Sequence, residues 1–246
     1  MTRSFGLVDY KVREAEYFLL ELGRVGRRID FGAVQFCASA FVSAARSVTF
    51  AMQASLKGHP EFEAWYKPRQ EKLRNDPLAR FFHDFRTVTQ HIGENVVGGG
   101  SHGKDGTLYY FVPCADLPRV PEQDVLSACN EYFTSVLQLV FDCYLELGSI
   151  VDGQWYYTAE NFCKLGKTIA DAMEELGLPR GWLEVAPSDS EPYQWETLRS
   201  QADGCGIEQQ FDTWLGKSLP RPAQLPPYRP LRLSPSGDEG RKECPG

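Results

Sequence analysis

Arg86 and His91 are the residues of this chain best suited to chemistry. They lie in the segment Arg80-Phe81-Phe82-His83-Asp84-Phe85-Arg86-Thr87-Val88-Thr89-Gln90-His91, near the end of a run of helical sequence. A fixed cation placed shortly before a titratable imidazole can hold a phosphate and move a proton. Those two operations are the minimum equipment for cutting RNA without a metal.

A regular helix sets positions five apart about 140° from each other around its axis. Arg86 and His91 would then flank a groove without touching. By the same arithmetic Arg80, Asp84, Thr87 and His91 share a face, which makes Asp84 the candidate to orient His91 through a water or a bend. Thr87 offers a hydroxyl that can orient a neighbour, and His83 is expected on another face, at the surface. Considered alone, Arg86 and His91 also suit an exposed helix end, where a cation and an imidazole interact favourably with the helix dipole.

Arg46 raises a separate question. It is the only charged residue between Asp30 and Lys57, and an unpaired charge in a core costs several kcal/mol. The favoured expectation is a structural ion pair with Glu14, Glu16 or Asp84, or a bond to a backbone carbonyl. The alternative is a second phosphate-holding arginine beside the cleft.

These residues must be positioned by helices. In the stretch Phe31 to Leu56, Cys37, Phe41, Ala44, Ala45, Val48 and Met52 cover one face, and Phe36 and Phe50 appear on the opposite one. A helix apolar nearly all round is surrounded by other helices. Helical periodicity and caps also predict elements from about Asp9 to Val25, from Pro60 through Leu73, from Pro77 to before Gly93, from Pro121 to Leu147 and from Thr158 to Leu176. Glycines at 98 to 100, 103 and 106 predict a flexible loop over 97 to 107, with a small hairpin pairing Glu94–Val97 with Leu108–Val112. The fold expected is all-α: a bundle of five to six helices with a small β-hairpin insertion at about 94–112 and an extended Pro-rich C-terminal tail. The helical domain is assigned to 1–178 and an irregular extension to 179–246. Within that extension Trp195–Gln201 and Ile207–Leu215 read as helical turns, and the proline-rich stretch begins at Leu219.

Composition bounds the function. The chain has 246 residues and a formal charge of −7, with an isoelectric point near 5.2. That argues against a broad basic surface for duplex nucleic acid but leaves room for a small basic site. Seven cysteines are scattered without a CxxC spacing, which reads as free thiols in a reducing compartment and offers no zinc site. The most apolar long stretch is read as Leu126 to Leu147, a buried helix interrupted by Asn130, Glu131, Asp142 and Glu146 rather than a membrane span. No membrane association, no cofactor and no metal are expected, and the location expected is cytoplasmic.

Helices of this order, with Arg-x4-His near the end of the fourth, resemble the HEPN domain family. The segment Ser39-Ala40-Phe41-Val42-Ser43-Ala44-Ala45-Arg46-Ser47, followed by Phe62, Trp65 and Tyr66, is similar to uncharacterised bacterial HEPN-like proteins. The resemblance covers about residues 8 to 95. It implies a metal-independent endoribonuclease of a toxin–antitoxin or phage-defence system, working as a homodimer in which both subunits contribute to one cleft. It further implies His91 as acid or base for attack of the ribose 2′-hydroxyl and Arg86 as stabiliser of phosphate charge, with Asp84, Thr87 and Arg46 in support. Thr87 departs from the Asn, Asp or His common at that place in the family, which gives weight to a catalytically inactive RNA- or nucleotide-binding module. A helical scaffold whose Pro-rich end binds a partner, such as an antitoxin-like protein, is the third class.

Overall fold

The computed structural model describes residues 5–104, 106–179 and 190–221. It is mostly helical with one small antiparallel sheet. Five longer helices come first: α1 (Gly6–Val25), α2 (Phe31–Ser55), α3 (Pro60–Asn75), α4 (Pro77–Thr87) and α5 (Val125–Glu146). Between α4 and α5 lie a π turn (Val88–Ile92) and the strands β1 (Val97–Gly103) and β2 (Gly106–Phe111). Short helices follow: α6 (Gly148–Val151), α7 (Gly153–Tyr156), α8 (Ala159–Lys164), α9 (Ile169–Glu175), α10 (Glu191–Arg199) and α11 (Glu208–Leu215).

Local chemistry sets these boundaries. Asp30 caps α2 by accepting from the Ala33 N–H, and Asp76 caps α4 by accepting from Ala79 with Pro77 in the first turn. The α5 helix begins at Val125 rather than Pro121, because the Asp124 carboxylate accepts from the N–H groups of both Leu126 and Ser127. The expected sixth helix is two helices. Gly166 turns the chain at φ +65°, and Thr168 with Asp171 forms a capping box that starts α9 afresh.

α2 is the central helix. It is the one described helix long and apolar enough to cross a membrane, in place of the stretch 126–147 expected to be most apolar. Its apolarity has an internal use: Val34, Ala38, Phe41, Ala45, Val48 and Met52 are all fully buried against α1, α4, α5 and β1. Phe82 of α4 stacks on Tyr132 of α5 with ring centroids 4.6 Å apart and meets Phe41 of α2 edge-on at 6.3 Å.

The triple glycine lies in strand β1, not in a loop, and the hairpin pairs Gly99 with Tyr110 and Gly100 with Tyr109. Close packing explains the glycines here. A Cβ on Gly100 would sit 2.8 Å from the Phe31 ring. Tyr109 then locks the hairpin to the start of α2, its hydroxyl accepting from the Asp30 N–H and donating to the Arg28 carbonyl.

In the C-terminal region helical turns were expected at Trp195–Gln201 and Ile207–Leu215. Within residues 190–221 this region carries α10 and α11. Trp195 and Leu198 of α10 join Phe162, Ala172 and Met173 in a second hydrophobic cluster, so residues from both sides of the expected 178/179 boundary pack together. Ile207 and Phe211 pack into the main core instead. The proline-rich tail beyond residue 221 lies outside the described residues.

Buried Asp9 holds this last segment in place. Its carboxylate accepts from the Tyr144 hydroxyl at 2.7 Å and from the Gly206 N–H at 2.8 Å. Burial pushes the Asp9 carboxyl above its ordinary value, against the lowering by Tyr144, the Gly206 N–H and Arg13. The native state therefore holds this proton to higher pH than the unfolded chain does, and the stability it contributes is lost as pH rises through the raised value. Asp9→Asn is expected to remove that dependence, so its stability relative to wild type increases from pH 4 to pH 7 in urea unfolding. Asp9→Ala strands both donors and should cost about 1–3 kcal/mol for each. A parallel pH dependence in wild type and Asp9→Asn would disprove the assignment.

Candidate functional site

The helix carrying Arg86 and His91 is not a uniform α-helix. α4 ends at Thr87, and the π turn that follows closes with the Gly93 N–H bonded to the Val88 carbonyl at 3.0 Å. The sequence provides the causes. Thr87, Val88 and Thr89 form a β-branched run that disfavours regular helix. The Thr89 hydroxyl bonds back to the carbonyls of Phe85 (2.9 Å) and Arg86 (3.2 Å), and such back-bonding bends helices. Gly93, at φ +81°, ends the turn in a left-handed conformation.

This alters the geometry expected from a uniform helix. A π turn spends more residues per revolution, so Arg86 and His91 are closer around the axis than the about 140° of a regular helix. Arg86 is half-buried, and its Nε is buried without a hydrogen-bond partner among the described residues. His91 is exposed on the π turn. Gln90 pins that turn to α2 by donating to the Ser43 hydroxyl at 2.5 Å. The pair thus combines a partly desolvated guanidinium with an accessible imidazole, the division of labour that phosphate holding and proton transfer need.

The expected supporting residues are placed differently. Thr87 donates its hydroxyl to the His83 carbonyl at 3.2 Å, so that hydrogen is used within the helix. Asp84 is exposed and lines a recess with Arg46, Arg80 and His83, a recess to which Arg86 and His91 do not contribute. The shared face drawn through Arg80, Asp84, Thr87 and His91 assumed a constant helical twist, and the π turn breaks it.

Arg46 does not make the ion pair expected of it. Glu14 pairs with Lys11, and Glu16 accepts from Gln210 and Trp214. Among the described residues no carboxylate pairs with Arg46. Its guanidinium instead makes long contacts of 3.4 Å to the Thr49 hydroxyl and to His83 Nδ1, and lies 5.1 Å from the Phe50 ring centroid. Its Nε is buried and unpartnered.

The contact between Arg46 and His83 is the feature that the sequence reading did not foresee. His83 is exposed as expected, but it faces Arg46 across the α2–α4 groove. No local signal announced this, because the contact joins residues 37 apart on different helices.

No curated protein and no solved structure matches the chain. A family model described as Bacteriophage lambda protein ea47 matches residues 30–94. That span runs from the cap of α2 past the π turn, and over it the chain is similar to a phage protein family in the very segment that carries Arg46, His83, Asp84, Arg86, Thr87 and His91.

Proposed function

We propose that this protein is a HEPN-like, metal-independent endoribonuclease of a phage-related toxin–antitoxin or defence system. The observation that carries the reading is the π turn, which draws His91 around the axis toward Arg86 while leaving the imidazole open to solvent. π turns inside helices occur frequently at functional sites. The match of residues 30–94 to a phage family adds a biological setting consistent with defence or phage competition. In this reading His91 acts as acid or base on the ribose 2′-hydroxyl, and Arg86 neutralises charge on the scissile phosphate.

The direct test is single-turnover cleavage of total RNA by the purified chain in EDTA, with any antitoxin-like partner removed. Cleavage producing 2′,3′-cyclic phosphate ends is the expected result, because the 2′-hydroxyl is the attacking group. Absence of cleavage by the partner-free protein would overturn the enzyme reading in favour of a silent RNA-binding module.

A shared cleft requires a homodimer. Apolar surface is available for one, since Phe36 and Phe50 on the outer side of α2 are 76% and 48% exposed. Ser39, Ala40, Ser43 and Ser47 lie between them along the helix and permit close approach. Light scattering at micromolar concentration should give about twice the monomer mass of 27.8 kDa. A monomer at that concentration rules out a composite site.

A further inference from the structure

We infer that the recess between α2, α3 and α4 is a binding site for a phosphate monoester. Its volume is about 450 Å³, within the range of small-ligand sites. Three guanidiniums line it, one from each helix: Arg46, Arg74 and Arg80. Asp84 is the one carboxylate in the lining, so the recess holds two net positive charges before His83 is counted. That excess sits in a protein whose formal charge is −7.

None of the three arginines forms an ion pair among the described residues, although Arg24, Arg69 and Arg221 each do. Arg46 is the most telling. It is half-buried and held by neutral groups at long distances, and its Nε faces no acceptor. A guanidinium drawn out of water without a carboxylate is costly, and an anion between Arg46, Arg74 and Arg80 removes that cost.

The floor suits the same ligand. Tyr66 and Tyr132 are buried, and both line the recess. Burial raises the pKa of both phenols, opposed in each case by the positive charge of Arg46, so they remain neutral donors at physiological pH. Planar guanidinium forks match phosphate oxygens. Charge decides between phosphate classes: a monoester is a dianion near neutral pH and balances the two net positive charges, whereas an RNA diester carries one. Arg86 and His91 lie outside the lining, so the inference does not rest on ribonuclease activity.

The test is calorimetric titration of the full chain at constant ionic strength with inorganic phosphate, adenosine 5′-monophosphate and dimethyl phosphate. Binding of the first two and not of the diester is expected. Arg46→Met and Arg80→Gln should each weaken binding about 10- to 100-fold, the loss expected for hydrogen bonds to a charged group. Arg80→Gln alters an exposed side chain, so it reports on the site even if Arg46→Met perturbs the core. Oligoribonucleotides with a 5′-phosphate or a 5′-hydroxyl then distinguish a free nucleotide from an RNA end as the source of the group. No binding of phosphate or the mononucleotide, equal binding by wild type and both variants, or binding of dimethyl phosphate as tight as that of the monoesters would each overturn the assignment.

Discussion

His91→Ala is expected to lower single-turnover RNA cleavage by about 10²–10⁴-fold, the usual loss when a positioned acid–base group is removed. The fold should survive the change, because the imidazole is exposed. Arg86→Ala should also reduce turnover. Arg86→Lys should restore little, since an ammonium cannot offer the planar fork that grips two phosphate oxygens. The variants separate two roles: loss of His91 should change the pH dependence of the remaining rate, and loss of Arg86 should leave its shape intact. Circular dichroism of each variant checks that the helices remain. Equal cleavage by wild type and His91→Ala would remove the imidazole from the mechanism.

The largest effect on stability is expected at Phe82. This ring is fully buried and touches aromatics of four elements: Phe41 on α2, Phe85 on its own helix, Phe111 on β2 and Tyr132 on α5. Phe82→Ala removes a whole ring from a close-packed site and should cost about 3–5 kcal/mol in urea unfolding. Since domains of this kind are stable by roughly 5–15 kcal/mol in total, the variant should lose a large share of its stability and unfold at a clearly lower urea concentration. Phe36→Ala is the contrasting case. Its ring is 76% exposed, so monomer stability should change by less than about 0.5 kcal/mol, while dimer formation through α2 should weaken. A cost below about 1 kcal/mol at Phe82 would mean that the aromatic cluster is not the centre of the core.

How far the fold could be read in advance follows from where its signals are local. The α2 helix was legible because Asp30 caps it and its apolar residues recur on nearly every side. The start of α4 was legible from Asp76-Pro77, whereas Gly93 closes the π turn and α4 itself stops earlier, at Thr87. The glycine run misled because flexibility is only one use of glycine. Here the absence of a side chain admits the Phe31 ring against β1, a long-range contact that sequence spacing does not announce. The break between α8 and α9 was carried by Gly166 and the Thr168–Asp171 box, signals weaker than the apolar stripe that runs through them. In the site, the positions of Arg86 and His91 near a helix end were readable, but their angular relation was not. That relation depends on hydroxyls of Thr87 and Thr89 competing for helix carbonyls. The environment of Arg46 was equally hidden, because its polar contacts are a threonine on its own helix, a histidine on α4 and a tyrosine on α5.

The π turn also makes the site sensitive to insertion and deletion. A ring closed from residue i to i+5 contains one residue more than an α-helical ring, and at Val88–Gly93 that extra residue separates the guanidinium from the imidazole. Removing a single codon between Arg86 and His91 would let the backbone relax into an ordinary α-helix and leave the pair four apart, about 40° around the axis. A relative with three intervening residues and no π turn would therefore present a similar pair of groups. Across such a family, motif spacing and helix type would be expected to vary together, and a search pattern with a fixed gap would miss half of that compensation.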